Sequence, residues 1–361
     1  MGIPEKIAEL EAEYAKTQKN KHTEAHLGLL KAKMARLRRD YEASGKSGGG
    51  GGGGFDVKKA GNSTVVFIGL PSVGKSSLLN ALTGTKSKTA AYAFTTTTVI
   101  PGMLNYKGAQ IQLLDLPGII AGAAEGRGRG REVIAVARNA DLVLFILDVF
   151  DPFYLPKLRE TLEKIGIRLD CEPPAINIHR TEKGGIDIYF DAKQSQLNGK
   201  IVTAILNEYG IFSANVTIRE NATIDQLIDV LTGNRKYAPS LAVVNKIDLV
   251  KPEFLRKINL EHIPISAEKN QNIETLKEAI FKKLRLIRVH TRSRFEAADR
   301  NAPLIVREGT TVKTAAEKLH REMKEEFKSA RVWGPSAKHP GQRVGGDHAL
   351  KDGDEFLVEK K

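Results

Sequence analysis

Apolar residues recur at helical spacing through the first 41 residues of the chain and in short continuous runs after residue 63. The helical stripes are formed by Ile7, Leu10 and Tyr14, then by Leu27, Leu30, Met34, Leu37 and Tyr41. A polar break around Asn20 to Thr23 separates the stripes, which predicts a hairpin of two short amphipathic helices over residues 1–47. Two uses of the apolar stripes stay open: packing on each other and on the core that follows, or gripping a partner.

A run of glycines, Gly48 to Gly54, predicts a flexible linker, because glycine restricts the backbone least. From Phe55 onward, short apolar runs alternate with helical or turn-rich segments. The main runs are Thr64–Ile68, Ile111–Leu114, Leu142–Leu147 and Leu241–Val244. Such runs are typical of strands buried on both faces, so residues 55–290 are predicted to form an α/β domain with a mostly parallel sheet.

The gap between the third and fourth runs is far longer than one helical crossover requires, which predicts an insertion at about residues 170–236. Two strand-like segments, Ala175–His179 and Ile186–Phe190, flank Gly184-Gly185 and predict a β-hairpin. A helix, a strand and a second helix follow, so the insertion is predicted to be a small α+β lobe. It contains no catalytic constellation. It serves either in recognition of RNA or protein, or as a structural lobe.

A basic helix from Leu276 to Leu286 closes the α/β domain, and residues 291–361 form a last module. The module is predicted to begin with a strand at Pro303–Val306, a turn at Gly309 and a helix from about Val312. A Trp-containing segment at Val332–Gly334 and a closing strand at Glu355–Val358 follow. This order of elements suggests a β-grasp module. Trp333 either packs in the core of this module or stacks on a nucleic-acid base.

An eight-residue loop, Gly69-Leu-Pro-Ser-Val-Gly-Lys-Ser76, joins the first apolar run to a helical segment. Strand, glycine-rich loop and helix follow one another in a phosphate-binding P-loop, where backbone N–H groups surround a phosphate. Lys75 can reach the β- and γ-phosphate oxygens, and the Ser76 hydroxyl can ligate Mg²⁺. The residues predicted to bind the phosphates are Gly69, Pro71, Ser72, Val73, Gly74, Lys75, Ser76 and Ser77.

The second apolar run leads into Asp115-Leu-Pro-Gly118. A carboxylate at the end of this strand can hold Mg²⁺ through a water molecule, and the Gly118 N–H can then sense a γ-phosphate. Four threonines, Thr95 to Thr98, lie between this segment and the P-loop. Switch loops of GTPases use one threonine hydroxyl as a Mg²⁺ ligand, and local chemistry leaves open which of the four it is.

The fourth apolar run ends in Asn245-Lys246-Ile-Asp248. The Asp248 carboxylate can accept hydrogen bonds from both N1–H and the 2-amino group of guanine, whereas adenine offers no such pair of donors. Leaving this buried acceptor unpaired costs on the order of several kcal/mol, which selects GTP over ATP. Further along the chain, Ser266-Ala267 is suited to offering a backbone N–H to the guanine O6.

Ile119 stands where many GTPases place a glutamine that orients the attacking water. Its side chain has no polar atom, and no nearby His or Glu is an obvious substitute. No residue is therefore assigned to catalysis, and we expect slow hydrolysis from the isolated protein.

These elements resemble the Obg superfamily of GTPases and, within it, the DRG (developmentally regulated GTP-binding protein) family. The resemblance to the superfamily's two switches is carried by Phe94-Thr95-Thr96, Asp115-Leu-Pro-Gly118 and Gly122–Gly130. The last module resembles a TGS domain through Val332–Gly334 and Asp347-His348. The resemblance covers nearly the whole chain and implies a P-loop GTPase that binds GTP, GDP and Mg²⁺.

By the family pattern, Thr96 is the Mg²⁺ ligand, with Thr95 beside it in the nucleotide site. The insertion resembles a ribosomal-protein-like one. Ser72 matches DRG proteins, whereas many Obg relatives carry an asparagine that helps hold a catalytic K⁺, so the resemblance leaves K⁺ stimulation open. The family implies a cytoplasmic GTPase acting in translation or on ribosomes, with a dedicated stabilising protein partner in eukaryotic members.

Lys and Arg number 56 against 43 Asp and Glu among 361 residues, a formal charge of +13. This excess favours contact with RNA or the ribosome, and nothing in it indicates DNA specificity. Arg127, Arg129 and Arg131 in the second switch either contact RNA or the γ-phosphate, or belong to a solvated loop. The single Cys171 fits a reducing cytosol, no apolar stretch is long enough to span a membrane, and the scattered histidines predict no zinc site.

Together these inferences predict a GTP-hydrolysing switch that engages the translation apparatus. Phosphate-dependent ordering of the loops around Thr96 and Gly118 would alter how the flanking modules bind. The alternative is a constitutive RNA- or ribosome-binding scaffold in which GTP is mainly structural. A small-molecule kinase is disfavoured, because it would give Asn245–Asp248 no role and no acceptor site is visible.

Overall fold

The structure is a computed structural model that describes residues 2–18, 20, 23–44, 60–84, 100–115, 138–293 and 302–360. Its helices are α1 (Ile3–Lys16), α2 (Glu24–Ser44), α3 (Lys75–Thr83), α4 (Leu155–Lys164), α5 (Gly199–Glu208), α6 (Ile224–Thr232), α7 (Pro252–Leu255), α8 (Ile273–Lys283) and α9 (Val312–Leu319). Short 3₁₀ turns lie at Pro152–Tyr154, Ile247–Leu249 and Arg321–Lys324. None of the helices described is long and apolar enough to cross a membrane.

The strands are β1 (Ser63–Ile68), β2 (Ile100–Tyr106), β3 (Ala109–Asp115), β4 (Leu142–Asp148), β5 (Ile167–Leu169), β6 (Ile176–Arg180), β7 (Ile186–Phe190), β8 (Ala214–Ile218), β9 (Lys236–Ala238), β10 (Ser240–Asn245), β11 (Ile263–Pro264), β12 (Leu286–Thr291), β13 (Leu304–Arg307), β14 (Phe327–Trp333), β15 (Gln342–Val344) and β16 (Glu355–Lys360). The chain forms two compact units. One combines Met1–Gly54 with Cys171–Tyr237, and the other combines Phe55–Asp170 with Ala238–Lys361.

The largest sheet has six strands in the order β11-β10-β4-β1-β3-β2. Neighbouring strands are parallel except for β2, which runs antiparallel to β3. Every residue of β1 is buried, because α3 and α8 cover one face of the sheet and α4 the other. The carboxyl ends of β1, β3, β4 and β10 therefore share one edge, where open α/β sheets bind their ligands.

The second sheet has five strands in the order β13-β12-β16-β14-β15. β12 pairs with β13 and β16, so Leu286–Thr291 belongs to this sheet, although the sequence pattern assigned residues up to 290 to the α/β domain. The predicted basic helix also differs in its bounds, since α8 begins at Ile273 and ends at Lys283. Arg285 takes a φ of 52°, in the left-handed region, and so turns the chain out of the helix and into β12.

The second sheet contacts the α/β domain at the end of the large sheet opposite the P-loop. Arg307 of β13 forms an ion pair with Asp141, which directly precedes β4. Ile305 belongs to the same buried cluster as residues of β1 and β3. A Cβ atom added to Gly108, in the turn before β3, would lie 2.6 Å from Cγ of Pro303. This approach requires glycine at residue 108, whose φ of 80° also favours it.

The insertion contains a three-stranded sheet in the order β6-β8-β7. The predicted β-hairpin of the first two strands is therefore wrong, because β8 lies between them, antiparallel to β6 and parallel to β7. The reason is burial: Ala214, Val216 and Ile218 of β8 are fully buried, whereas Ile176 is the single buried residue of β6 and β7 has none. The most apolar strand thus takes the central position.

Helices α5 and α6 cover one face of this small sheet, and α2 packs against both helices. Ala32 of α2 is completely buried in the same cluster as residues of the insertion. A Cβ atom at Gly28 would lie 3.1 Å from Cδ1 of Ile224, so the two helices approach closely there. Helix α1 packs on α2 and buries none of its own residues. The N-terminal helices therefore pack on each other and on the insertion.

Candidate nucleotide-binding site

The P-loop connects the end of β1 to the first residue of α3, which is Lys75. The Lys75 ammonium donates hydrogen bonds to the carbonyl oxygens of Gly69 and Leu70, at 3.1 and 2.9 Å. Partial burial lowers the pKa of Lys75, and the charge of Asp115 opposes this shift. The lysine is thus folded back over its own loop, next to a carboxylate, in the position from which it can reach a phosphate.

Two glycines of the loop are required by close contacts. Gly74 has a φ of 90°, and a Cβ atom there would lie 2.4 Å from Nδ2 of Asn245. A Cβ atom at Gly69 would lie 2.3 Å from the carbonyl oxygen of Ile146. The loop is therefore packed tightly against β4 and against the last residue of β10. Its predicted phosphate-facing residues Pro71, Ser72, Ser76 and Ser77 remain exposed, while Val73 is buried.

Asp115 is buried at the carboxyl end of β3, beside Lys75 and Ser76. Burial raises the pKa of Asp115, while the Lys75 charge and a hydrogen bond with the Ser76 side chain act in the opposite direction. Its Oδ1 atom is buried and accepts no hydrogen bond within the part of the chain that the structure describes. An orphaned carboxylate oxygen next to a P-loop hydroxyl suits a hydrated Mg²⁺, which takes few protein ligands and keeps several waters.

No group of three or more His, Cys, Asp or Glu side chains converges into a metal site among the residues described. The predicted Thr95, Thr96, Gly118 and Ile119, the switch arginines Arg127, Arg129 and Arg131, and the linker Gly48–Gly54 lie outside the described residues.

Asn245 joins three segments of the site through one buried side chain. Its Nδ2 donates to the carbonyl oxygen of Val73 at 2.8 Å, and its Oδ1 accepts from the Ala267 N–H at 3.0 Å. Its own carbonyl oxygen accepts from the Val149 N–H at 3.1 Å. The P-loop, the Ser266-Ala267 segment and the segment after β4 are therefore held in a fixed relation before any ligand arrives.

Ser266 and Ala267 were predicted to present a backbone N–H to guanine, and the structure uses both within the protein. The Ala267 N–H is the one that donates to Asn245. Ser266 is fully buried, its Oγ accepts from the Lys269 N–H at 3.1 Å, and its backbone pairs with Gln271. This segment thus has a fixed shape beside the predicted base site.

Lys246 and Asp248 follow Asn245 on a tight turn. Lys246 has a left-handed φ of 69°, and its ammonium lies 2.6 Å from Oδ2 of Asp148. Asp248 lies in the 3₁₀ turn and is half-buried. The Ile247 N–H donates to the carbonyl oxygen of Ile265 at 3.2 Å, which fastens this turn to the residue directly after β11. The predicted base-reading residues thus lie on the same sheet edge as the P-loop.

Asp148 is a site residue that the sequence pattern did not single out. Its Oδ1 accepts from the Phe150 N–H at 3.0 Å, while Oδ2 holds Lys246. The signal that reveals it is strand register, because Asp148 ends β4 directly opposite Asn245 at the end of β10. That pairing is not visible in the sequence, where the two residues are almost a hundred positions apart.

Comparison with known proteins places this site in a family. A family described as 50S ribosome-binding GTPase matches residues 64–179, the C-terminal region of that domain matches 183–286, and the TGS domain matches 290–357. Developmentally-regulated GTP-binding protein 1 of Xenopus laevis is 48% identical, and the alignment covers 100% of both chains. The chain belongs to the developmentally-regulated GTP-binding protein (DRG) family.

Further relatives match over nearly the whole chain. Developmentally-regulated GTP-binding protein 2 homolog of Dictyostelium discoideum is 48% identical over 100% of both chains, and a GTP-binding protein of Methanocaldococcus jannaschii is 50% identical over 99% of this chain and 93% of its own. The YchF GTPase of Schizosaccharomyces pombe, a solved structure, has a TM-score of 0.45 and 13% identity, covering 84% of this chain and 99% of its own. DRG membership makes the chain a GTP-binding protein, and it confirms the family and P-loop GTPase fold predicted from the sequence.

Proposed function

We propose that this DRG protein hydrolyses GTP to GDP and phosphate in the presence of Mg²⁺ and acts as a nucleotide-dependent switch on the ribosome or RNA. The observation that supports hydrolysis is the buried Asp115 carboxylate, whose Oδ1 has no hydrogen-bond partner among the residues described. A site that only held a nucleotide by its base would not need a desolvated carboxylate beside Lys75. Burying an unpaired carboxylate is costly, and Mg²⁺ bound through water would offset that cost.

Each residue of the nucleotide site has one role in this proposal. Lys75 exchanges the carbonyl oxygens of Gly69 and Leu70 for the β- and γ-phosphate oxygens, and the P-loop N–H groups surround the phosphates. Ser76 and Thr96 would ligate Mg²⁺ directly, and Asp115 would hold it through water. The ion, when bound, neutralises charge that develops between the β- and γ-phosphates. Thr95, Thr96 and Gly118 would contact the γ-phosphate.

Hydrolysis by the protein alone is slow under this proposal. Ile119 has no polar atom with which to orient the attacking water, so the water must be positioned by a backbone group, a bound cation such as K⁺, or a partner. Such a dependence suits a switch whose hydrolysis is triggered by the assembly it binds. The first test is therefore release of phosphate with and without ribosomes, in sodium and in potassium salts.

The expected result is slow release by the isolated protein and faster release with ribosomes, lost in the variant Lys75→Ala. Fast release by the isolated chain, comparable to that of an activator-stimulated GTPase, would contradict the assignment of Ile119. Stimulation by potassium over sodium would identify a cation as part of the missing group. Release of phosphate without any added acceptor distinguishes hydrolysis from kinase chemistry.

Engagement of the ribosome or RNA is supported by charge. The formal charge of +13 is unevenly distributed: residues 238–293 contain 11 Lys and Arg against six Asp and Glu. This segment includes the base-reading turn and α8, so the positive charge is concentrated on the nucleotide-binding unit. The same proposal includes a cytoplasmic location and a stabilising protein partner.

Ribosome binding measured with a non-hydrolysable GTP analogue and with GDP separates the switch from the scaffold alternative. A switch binds ribosomes more tightly in one nucleotide state. Equal binding in both states would mean that GTP is mainly structural, and the switch assignment would be withdrawn. Binding should also weaken steeply with salt, because phosphate contacts release counterions.

A further inference from the structure

Four large apolar side chains are exposed on two neighbouring loops of the nucleotide-binding unit. They are Phe150, Phe153, Leu249 and Phe254, whose exposed fractions are 63, 70, 60 and 42%. We call them the strand-end patch. The other exposed large apolar residues of the described chain, Tyr189, Phe190 and Phe212, belong to the insertion. Clustered exposure of this kind marks an interaction site more often than scattered single residues do.

The two loops leave the large sheet side by side. β4 and β10 are adjacent parallel strands with Asp148 opposite Asn245, and the Val149 N–H donates to the carbonyl oxygen of Asn245 at 3.1 Å. The first loop then passes through the 3₁₀ turn at Pro152–Tyr154, and the second through the turn at Ile247–Leu249 and α7. The strand-end patch therefore lies at the carboxyl ends of two neighbouring strands.

Each loop divides its apolar residues between the core and the surface. Tyr154 and Leu155 from the first loop, and Val250 and Leu255 from the second, pack against one and the same buried cluster. Their immediate neighbours in sequence, Phe153, Leu249 and Phe254, point away from it. The loops are thus already anchored without the patch, and folding gives no reason for three phenylalanines and a leucine at the exposed positions.

The rim of the patch is basic. The exposed charged residues within the two loops are Lys251, Arg256 and Lys257, against Asp151 and Glu253. None of Lys251, Arg256 and Lys257 forms an ion pair with another described residue. An apolar centre with an unpaired basic rim complements a segment with apolar anchors surrounded by Asp and Glu.

We propose that the strand-end patch docks an amphipathic segment of another protein, with apolar side chains on one face and acidic residues beside them. A helix laid on the patch would present such anchors at spacings of three and four residues. RNA is a poorer fit, since the aliphatic Leu249 offers no aromatic face on which a base can stack. Docking does not require GTP hydrolysis, so its failure is distinguishable from failure of the proposed switch.

The patch is linked to the base-reading turn by one carboxylate. Asp148 accepts from the Phe150 N–H through Oδ1 and holds the Lys246 ammonium through Oδ2. A segment that covers Phe150 therefore acts one hydrogen bond away from Lys246. We expect the docked segment to slow the release of GDP, because it restricts the loop that carries Lys246 and Asp148.

The experiment uses the full-length protein and a display library of random peptides of about 16 residues, long enough for some four helical turns. Peptides are selected on the wild type and counter-selected on F150D/F153D. The enriched sequences should repeat apolar residues at helical spacing and contain more Asp and Glu than Lys and Arg. One such peptide, labelled with a fluorophore, is then titrated with each protein by fluorescence anisotropy.

We expect the peptide to bind F150D/F153D and, independently, F254D about tenfold or more weakly than the wild type. F212D is the matched control, because Phe212 is 70% exposed like Phe153 but lies in the insertion. It should bind the peptide as the wild type does. Melting temperatures establish that the variants fold, which is expected because all these positions are exposed. Release of a fluorescent GDP analogue should slow when the peptide is added.

Several results would overturn the proposal. They are the absence of any enriched peptide, equal binding of the selected peptide to F150D/F153D and wild type, and enrichment of basic instead of acidic sequences. Loss of single-stranded RNA binding in F150D/F153D, with no peptide bound, would assign the patch to RNA. Self-association of the wild type that is lost in the same variant would assign it to a second copy of the chain.

Discussion

Arg307 places its guanidinium 2.7 Å from the carboxylate of Asp141, and this ion pair ties the C-terminal sheet to the α/β domain. Asp141 is buried, whereas Arg307 is more than half exposed. The other carboxylate oxygen of Asp141 accepts from the Thr64 N–H at 3.0 Å. Thr64 lies in β1, the strand that ends in the P-loop, so the contact reaches the strand on which the phosphate site is built.

Replacing Arg307 by alanine is expected to destabilise the protein by about 1–2 kcal/mol, because it removes a charged partner from a buried carboxylate. Chemical denaturation measures the change. Arg285→Ala is the control, since Arg285 and its partner Glu308 are both largely exposed and such pairs contribute less than about 1 kcal/mol. Equal effects of the two substitutions would mean that the Asp141 contact is not specific.

Gly74 and Gly84 stand at the two ends of α3, and both have positive φ, 90° and 69°. A methyl group at Gly84 meets no atom within 4 Å, whereas at Gly74 it meets the Asn245 amide. Gly84→Ala should therefore cost only backbone strain, about 1 kcal/mol, and leave GTP affinity unchanged. Gly74→Ala should cost the same backbone strain and, in addition, weaken GTP binding at least about tenfold. Titration calorimetry measures the affinity.

Asn245→Ala removes one side chain that serves both the P-loop and the Ala267 segment. The Val73 carbonyl and the Ala267 N–H lose their partner, which should lower the free energy of unfolding by about 2 kcal/mol even without nucleotide. Asn215→Ala, at an exposed position of β8, should change it by less than about 0.5 kcal/mol. If Asn245→Ala lowered the free energy of unfolding only when GTP is present, the site would not be preformed.

Asp248→Asn should lower GTP affinity by about 3 kcal/mol or roughly a hundredfold, because one of the two guanine donors loses its acceptor. ATP affinity should change little, so the selectivity ratio falls. Competition between the two nucleotides in a fluorescence assay gives this ratio directly. Asp151→Asn controls for loss of charge on the neighbouring loop. Unchanged selectivity in Asp248→Asn would mean that the base is read elsewhere.

Asp352 should make the C-terminal sheet sensitive to acid. Hydrogen bonds from the Arg288 side chain, at 2.7 and 3.1 Å, lower the pKa of Asp352. A carboxyl group with a depressed folded-state pKa contributes stability above its ordinary pKa of about 3.9, and that stability is lost as pH falls through the folded-state value. Asp352→Asn should therefore reduce the loss of stability at acidic pH.

The effect of Asp352→Asn on stability at neutral pH should be below about 1 kcal/mol, because both partners are more than a third exposed. Thermal melts between neutral and strongly acidic pH would measure it. Asp347→Asn, at an exposed position in the last loop of the same sheet, should leave the loss of stability at acidic pH unchanged.

The phosphate and base segments could be predicted from the sequence because their chemistry is local. Gly69–Ser76 needs particular residues at fixed spacing around one phosphate, and Asn245–Asp248 needs its carboxylate three residues after an amide. Apolar runs located the central strands for a similar reason, since a strand covered on both faces has no polar positions.

What escaped prediction depends on which strand pairs with which. The pattern of β6 and β7 was compatible with a hairpin, and only the greater burial of β8 decides that it separates them. β12 follows α8 without any break in composition, so its membership of the second sheet is fixed by pairing with β13 and β16. Asp148 acquires its partner Lys246 through the register of β4 and β10, which no spacing along the chain reveals.

The attachment of the C-terminal sheet near Thr64 has a mechanical consequence. β1 has six residues from Ser63 to Ile68, about 20 Å at ~3.3 Å per residue. One end of β1 contacts the Asp141 carboxylate that pairs with Arg307, and the other end leads into the P-loop. Because β1 is closely packed along its whole length, a displacement of one end is transmitted to the other end. A ligand that displaces the C-terminal module would thus shift the P-loop without contacting it.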